Sequence, residues 1–135
     1  MIKNYFLHKR RLKLLRKYRN ENFKNVTRLI EAHNVIVNHP SEVRVSIMGD
    51  FKKKVDEAIV FYQGEKIYIG ETVSEYNNLN LNGRGIHYRD CLMALLGDMD
   101  NIIDTLNEVR EGITEEMNKK QQTKEKIKGA MCELI

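Results

Sequence analysis

The stretch of sequence that decides the fold is residues 43–70, VRVSIMGDFKKKVDEAIVFYQGEKIYIG. Apolar and polar side chains alternate over 43–47, which is typical of a strand that is buried on one face. A second strand is predicted within 55–62, and a third over 66–70, where two isoleucines again alternate with other residues. The three segments together predict a three-stranded antiparallel meander.

Glycine and proline mark the predicted boundaries of these elements. Gly49 and Gly64 fall between the strands, where glycine favours tight turns. Pro40 ends the preceding helix, because the residue before a proline disfavours helical geometry. Gly112 has the position of a C-terminal helix cap.

Helical periodicity flanks the predicted sheet on both sides. Apolar side chains recur at steps of three and four over 2–37 and again over 88–111, and a more polar helix follows from Thr114. We therefore predict an α+β fold, with a long N-terminal helix, a three-stranded antiparallel sheet and two C-terminal helices.

The length of 135 residues favours a single domain. We divide it into a basic helical arm (1–20), an α-βββ-α core (21–112) and a polar C-terminal helix (113–135). A continuous helix over 2–37 would be about 54 Å long. We therefore expect it to break near residues 20–22, or its first half to project from the core.

Composition excludes several classes of protein. No apolar run is long enough to span a membrane. The two cysteines, Cys91 and Cys132, cannot form a disulfide framework or a zinc cluster. We predict a cytoplasmic protein without a metal or cofactor. We also predict no catalytic residues and no enzymatic activity, since no nucleophile, paired carboxylates or motif-spaced histidines stand out.

Charge is distributed unevenly along the chain. The net charge is only +4, but residues 1–25 hold nine basic groups and one acid, a charge of +8. On a helix these cations would face nucleic-acid phosphates, with Tyr18 available to stack on an exposed base. The first hypothesis is therefore a small accessory protein that binds DNA, RNA or a nucleic-acid–protein complex. The predicted phosphate contacts are Lys9, Arg10, Arg11, Lys13, Arg16, Lys17 and Arg19.

Residues 89–116 are strongly acidic, with a charge of −6. Asp100, Asp104, Glu108 and Glu111 recur at helical spacing and form one stripe. This stripe supports a second hypothesis: an inhibitor or regulator of the phage or mobile-element type, which binds a host protein either alone or as a homodimer. A third interpretation is that the basic and acidic segments form ion pairs with each other within the fold.

A candidate anion site precedes the helix at 88–111. Glycines can turn backbone N–H groups toward an anion, and Arg84, His87 and Arg89 could supplement them. The spacing matches neither a P-loop nor a dinucleotide-binding motif, so an ordinary loop is the competing interpretation. A phosphodiesterase centred on His87 is the least favoured alternative.

Overall fold

The structure is a computed structural model that describes the backbone of residues 2–133 and the side chains of residues 6–130. Three long helices are joined by two short connections, the first of which contains a 3-10 turn. These elements are α1 (Ile2–Asn38), the 3-10 turn (Pro40–Glu42), α2 (Val45–Asn77) and α3 (Gly83–Glu133). No strand occurs between residues 2 and 133, so the predicted α+β class and its sheet are wrong.

Helix α2 runs antiparallel to α3. The Nζ atom of Lys66 lies 2.5 Å from Oδ1 of Asp100. Ten residues earlier in α2, Oδ1 of Asp56 lies 3.2 Å from Nε of Arg110, ten residues later in α3. The two ion pairs fix the direction and the register of the pair of helices.

Helix α1 runs parallel to α3. Nε of Arg19 lies 2.7 Å from Oδ2 of Asp98, and Nε2 of His8 lies 3.3 Å from Nδ1 of His87. Both contacts join residues 79 positions apart, so the two helices keep one register over this length. The fold is an up-down-up three-helix bundle, and residues 8–19 of the predicted arm lie along α3.

The core follows a seven-residue repeat in α2 and α3. This repeat places one side chain of every second turn on the same helix face, as in coiled coils and helical bundles. The buried residues at this spacing are Met48, Val55, Tyr62 and Ile69 in α2, and Leu92, Met99, Leu106 and Ile113 in α3.

Helix α1 uses the same repeat with a polar residue in it. Leu15, Asn22, Leu29 and Ile36 are spaced seven apart on the face that packs against the bundle. Asn22 is buried. The predicted break at residues 20–22 is wrong, because Asn22 belongs to the buried face of a continuous helix.

Residues 45–70 belong to α2, because their buried side chains follow a helical period. Met48, Phe51 and Val55 are buried at steps of three and four, and a strand would place residues three apart on opposite faces. Lysines, glutamate and alanine between 52 and 58 also favour a helix. The short alternation at 43–47 reflects local β propensity, which the packing of α2 against α3 overrides.

The glycines do not end helices. Gly49 and Gly64 lie inside α2, Gly112 lies inside α3, and no described glycine has a positive φ. The predicted turns and cap are therefore absent, and the two predicted C-terminal helices are one. Of the predicted helix at 113–135, the last two residues lie outside the described residues.

Helix α3 extends beyond the other two helices at its C-terminal end. Its 51 residues correspond to about 76 Å, against about 55 Å for the 37 residues of α1. The Nζ atom of Lys120 donates a hydrogen bond to the carbonyl of Val43, just before α2 begins. Every side chain from 121 to 130 is exposed, so this segment projects from the bundle.

Candidate nucleic-acid interface

The outward face of α1 carries a continuous group of cations. Lys9 and Lys13 lie on the side of α1 opposite Asn22, and both are exposed. A shallow depression on the same face is lined by α1 alone, and Glu21 is its one acidic lining residue. The basic residues that line it are Arg10, Lys13, Arg16, Lys17 and Lys24. We call Lys9 and these five residues the α1 basic face.

Two of the seven predicted phosphate contacts lie outside this face. Arg19 turns toward α3 and forms the ion pair with Asp98. Arg11 lies near Tyr88 of α3: burial raises the pKa of Tyr88, and the charge of Arg11 opposes this rise in part. Lys24 takes their place, five residues beyond the predicted segment.

The members of the α1 basic face have no carboxylate partner among the described residues. The sequence left open whether the basic and acidic segments neutralise each other. Within the described part of the chain, the pair of Arg19 with Asp98 is the one direct ion pair between them. The outward charge of α1 is therefore not cancelled by contacts within the fold.

A groove of about 620 Å³ lies between α1 and α3, next to the α1 basic face. Arg16 and Arg19 line one part of it, and apolar side chains such as Ile102 line another. Phe23 also lines the groove and is 73% exposed. The size falls within the range of about 300 to 1,000 Å³ that is usual for ligand sites.

Asn22 is a buried polar residue next to the same groove. Its side chain is 5% exposed, and Nδ2 makes no hydrogen bond of normal geometry. A buried amide donor without a partner loses the free energy of its hydration. The polar neighbour of Asn22 is the hydroxyl of Tyr18, one turn earlier in α1, so the amide of Asn22 belongs to the helix interface and not to the accessible surface of the groove.

Tyr18 does not take the stacking role that the sequence suggested. Its hydroxyl donates a hydrogen bond of 2.5 Å to Oε2 of Glu65 in α2. Burial, and then this bond to Glu65, raise the pKa of Tyr18 to about 12. Tyr18 joins α1 to α2, whereas Phe23 is an exposed aromatic residue beside the cations.

The candidate anion site at the start of α3 does not converge on one point. Nε2 of His8 contacts His87 on one side of the helix. Two residues later, Arg89 lies on the opposite side and contacts Asp90 and Asn77 at 3.3 Å. The Oδ1 atom of Asn82 already accepts the N–H of Gly85, so the helix caps itself. Arg84 belongs to the same first turn.

The acidic stripe lies on the outward face of α3. Asp100, Asp104, Glu108 and Glu111 are all exposed. Asp100 pairs with Lys66 of α2. The other three carboxylates form no ion pair among the described residues, so they are accessible to a basic partner.

Other functional classes receive no support from the geometry. No cluster of three metal-ligating side chains occurs in the part of the chain that the structure describes. None of the helices, over their described length, is sufficiently long and apolar to cross a membrane.

Comparison with known proteins finds no match: no family model, curated protein or solved structure is significantly similar to the chain.

Proposed function

We propose that the chain is a small non-enzymatic accessory protein that binds nucleic acid through the α1 basic face. The observation that carries the proposal is the position of these cations, which share one outward face and have no ion-pair partner among the described residues. From Lys9 to Lys24 they extend over about 22 Å of helix. Cations in such a row release counterions from a phosphate backbone when they bind it.

The adjoining groove favours single-stranded over duplex nucleic acid. The exposed ring of Phe23 offers a surface on which an unpaired base can stack. Bases in a duplex are already stacked and paired, so they cannot enter the groove without being extruded.

Fluorescence anisotropy with labelled single strands and duplexes, measured across a salt series, tests the proposal. The variant Arg10→Gln/Lys13→Gln/Lys17→Gln removes three charges from the α1 basic face. We expect at least tenfold weaker binding, and a slope of log affinity against log salt that is reduced by about 2 to 3.

The matched control removes the same charge from another surface. Lys124→Gln/Lys126→Gln/Lys128→Gln alters three exposed cations of the projecting end of α3. If both triple variants weaken binding equally, net charge rather than the α1 basic face is responsible. If the native chain binds no nucleic acid at low salt, the proposed function is wrong.

A second variant tests the groove separately from the cations. Phe23→Ala removes the stacking surface, and a stacked base contributes about 1 to 3 kcal/mol to binding. We expect single-strand affinity to fall by about fivefold to 150-fold, with duplex affinity unchanged. Equal losses for both substrates would argue against a stacked base.

A second candidate function is binding of a basic protein partner through the acidic stripe. It is supported by the exposure of Asp104, Glu108 and Glu111 without ion pairs in the described residues. Changing these three residues to Asn, Gln and Gln should not weaken nucleic-acid binding if the first proposal holds. Loss of inhibition of a partner in the same variant would favour the second.

A further inference from the structure

Helix α2 has a second apolar face, on the side away from the core. Val60, Phe61, Ile67 and Tyr68 are between 53% and 69% exposed. They surround Gly64, which lies diametrically opposite the buried face. A Cβ atom added at Gly64 would meet nothing within 4 Å. We call these five residues the outer α2 patch.

Large apolar side chains that cluster in this way on a surface mark an interaction site. The four large side chains of the outer α2 patch lie on consecutive turns of the helix and form a continuous stripe. Such a stripe is typical of a helix that packs against another helix. Gly64 at the centre lets a second backbone approach closely, since no side chain separates the two.

The outer α2 patch is symmetric about Gly64. Val60 and Ile67, four residues before and three after Gly64, lie on one side of the stripe. Phe61 and Tyr68, three before and four after, lie on the other side. A two-fold axis through Gly64 thus brings Val60 of one copy beside Ile67 of the other. The same axis brings Phe61 of one copy beside Tyr68 of the other, pairing aromatic with aromatic.

We propose that the outer α2 patch binds a second copy of the chain, with the two α2 helices antiparallel and crossing at Gly64. A two-fold dimer requires a surface that complements itself. Across the axis at Gly64, aliphatic residues contact aliphatic residues and aromatic residues contact aromatic residues. The outer α2 patch therefore complements itself.

The charges at the two ends of the patch select the antiparallel direction. Lys53 and Lys54 flank its N-terminal end together with Glu57, a net charge of +1. Glu71 and Glu75 flank its C-terminal end, with a charge of −2. Antiparallel helices bring the end of net charge +1 beside the end of charge −2, with Lys53 facing Glu75 and Glu57 facing Glu71 of the other copy. Parallel helices would place lysine beside lysine and glutamate beside glutamate, which is unfavourable.

Cysteine cross-linking in a Cys91→Ser/Cys132→Ser background tests the geometry. Gly64→Cys lies on the two-fold axis, so it should form a disulfide-linked dimer on mild oxidation. Glu57→Cys alone should not, because the two copies of this residue are about 21 Å apart along antiparallel helices. A mixture of Glu57→Cys and Glu71→Cys chains should cross-link, since these positions face each other.

Sedimentation equilibrium of the native chain tests whether the dimer exists. We expect a concentration-dependent dimer that Ile67→Glu abolishes and Met93→Glu leaves intact, the second being a matched change at an exposed apolar residue of α3. Reversal of Lys53 and Lys54 to Glu should weaken the dimer severalfold. Adding Glu71→Lys and Glu75→Lys to the same chain should restore it.

Three results would overturn the proposal. The native chain could remain monomeric up to its solubility limit, Ile67→Glu could leave the dimer unchanged, or Glu57→Cys could cross-link by itself, as in a parallel pair. None of these outcomes depends on whether the chain binds nucleic acid, so this proposal and the proposed function are tested separately.

Discussion

Gly97 and Gly112 lie on the same helix, yet a methyl group added at each would meet different surroundings. At Gly97 it would meet nothing within 4 Å, whereas at Gly112 it would lie 2.5 Å from Nε2 of His33. Glycine inside a helix is less stable than alanine by about 0.5 to 1 kcal/mol. We expect Gly97→Ala to raise the free energy of unfolding by this amount, measured by urea denaturation.

Gly112→Ala should not show the same gain. The imidazole of His33 must shift to admit the new methyl group, and this displacement offsets the gain in helix propensity. Equal stabilisation by the two substitutions would show that His33 does not pack against Gly112 in solution.

His33 also predicts a dependence of stability on pH. Burial lowers the pKa of His33 below its usual 6.5, and the carboxylate of Glu116 opposes this shift only in part. As the pH falls below 6.5, the unfolded chain binds a proton that the folded chain resists. The free energy of unfolding should therefore decrease as the pH is lowered through this range, and should have its full value above it.

Two histidine variants identify the source of this pH dependence. Urea denaturation between about pH 7.5 and pH 5 should show a smaller decrease for His33→Gln than for the native chain. His39→Gln removes an exposed histidine and serves as the control. An unchanged pH profile in His33→Gln would assign the effect to other groups.

At the residue scale, the sequence was sufficient to locate the cations but not to decide which of them face outward. Arg11 and Arg19 belong to the same charged run as Lys13, but they lie near α3. The direction in which a side chain points depends on which side of α1 the other helices cover. A prediction that treats residues 43–70 as a sheet places the wrong elements against α1, so it cannot give these directions.

At the scale of elements, α2 was misread because both of its faces are apolar. An amphipathic helix shows its period through polar residues on the outward face. In α2 several of these positions hold Val60, Phe61, Ile67 and Tyr68, which are residue types that also favour strands. The outer α2 patch is therefore the reason why the sequence pattern does not predict this helix. By contrast, α1 and the first part of α3 have polar outward faces and were predicted correctly as helices.

The projecting end of α3 allows two identical substitutions to be compared. Ile113 and Ile127 are 14 residues apart and occupy the same position of the seven-residue repeat. Ile113 is 0% exposed within the bundle, whereas Ile127 is 58% exposed beyond it. Ile113→Ala should lower the free energy of unfolding by about 2 to 5 kcal/mol. Ile127→Ala should change it by less than about 0.5 kcal/mol.

Urea denaturation of both variants measures this difference. A large loss of stability in Ile127→Ala would mean that the end of α3 is covered in solution, for example by another copy of the chain. The comparison should therefore be made at low protein concentration and repeated at high concentration.

At the scale of the whole molecule, the three helices are not equally buried. Among the described side chains, seven buried apolar residues belong to α2 and six to α3, but only two to α1. Helix α1 also places the buried amide of Asn22 and the hydroxyl of Tyr18 in its interface. The free energy of opening is lowest where few apolar contacts hold an element. Helix α1 should therefore separate from the α2–α3 hairpin more readily than the hairpin unfolds.

Native-state hydrogen exchange followed by mass spectrometry measures this order. Amides at 99–113 should exchange most slowly, those of α1 at intermediate rates, and those at 121–130 fastest. A single-stranded oligonucleotide should then slow exchange in α1, because a ligand bound to the closed state opposes its opening. Raising the protein concentration should instead slow exchange around Gly64. If the oligonucleotide protects the projecting end of α3 and leaves α1 unchanged, the nucleic-acid interface has been placed on the wrong helix.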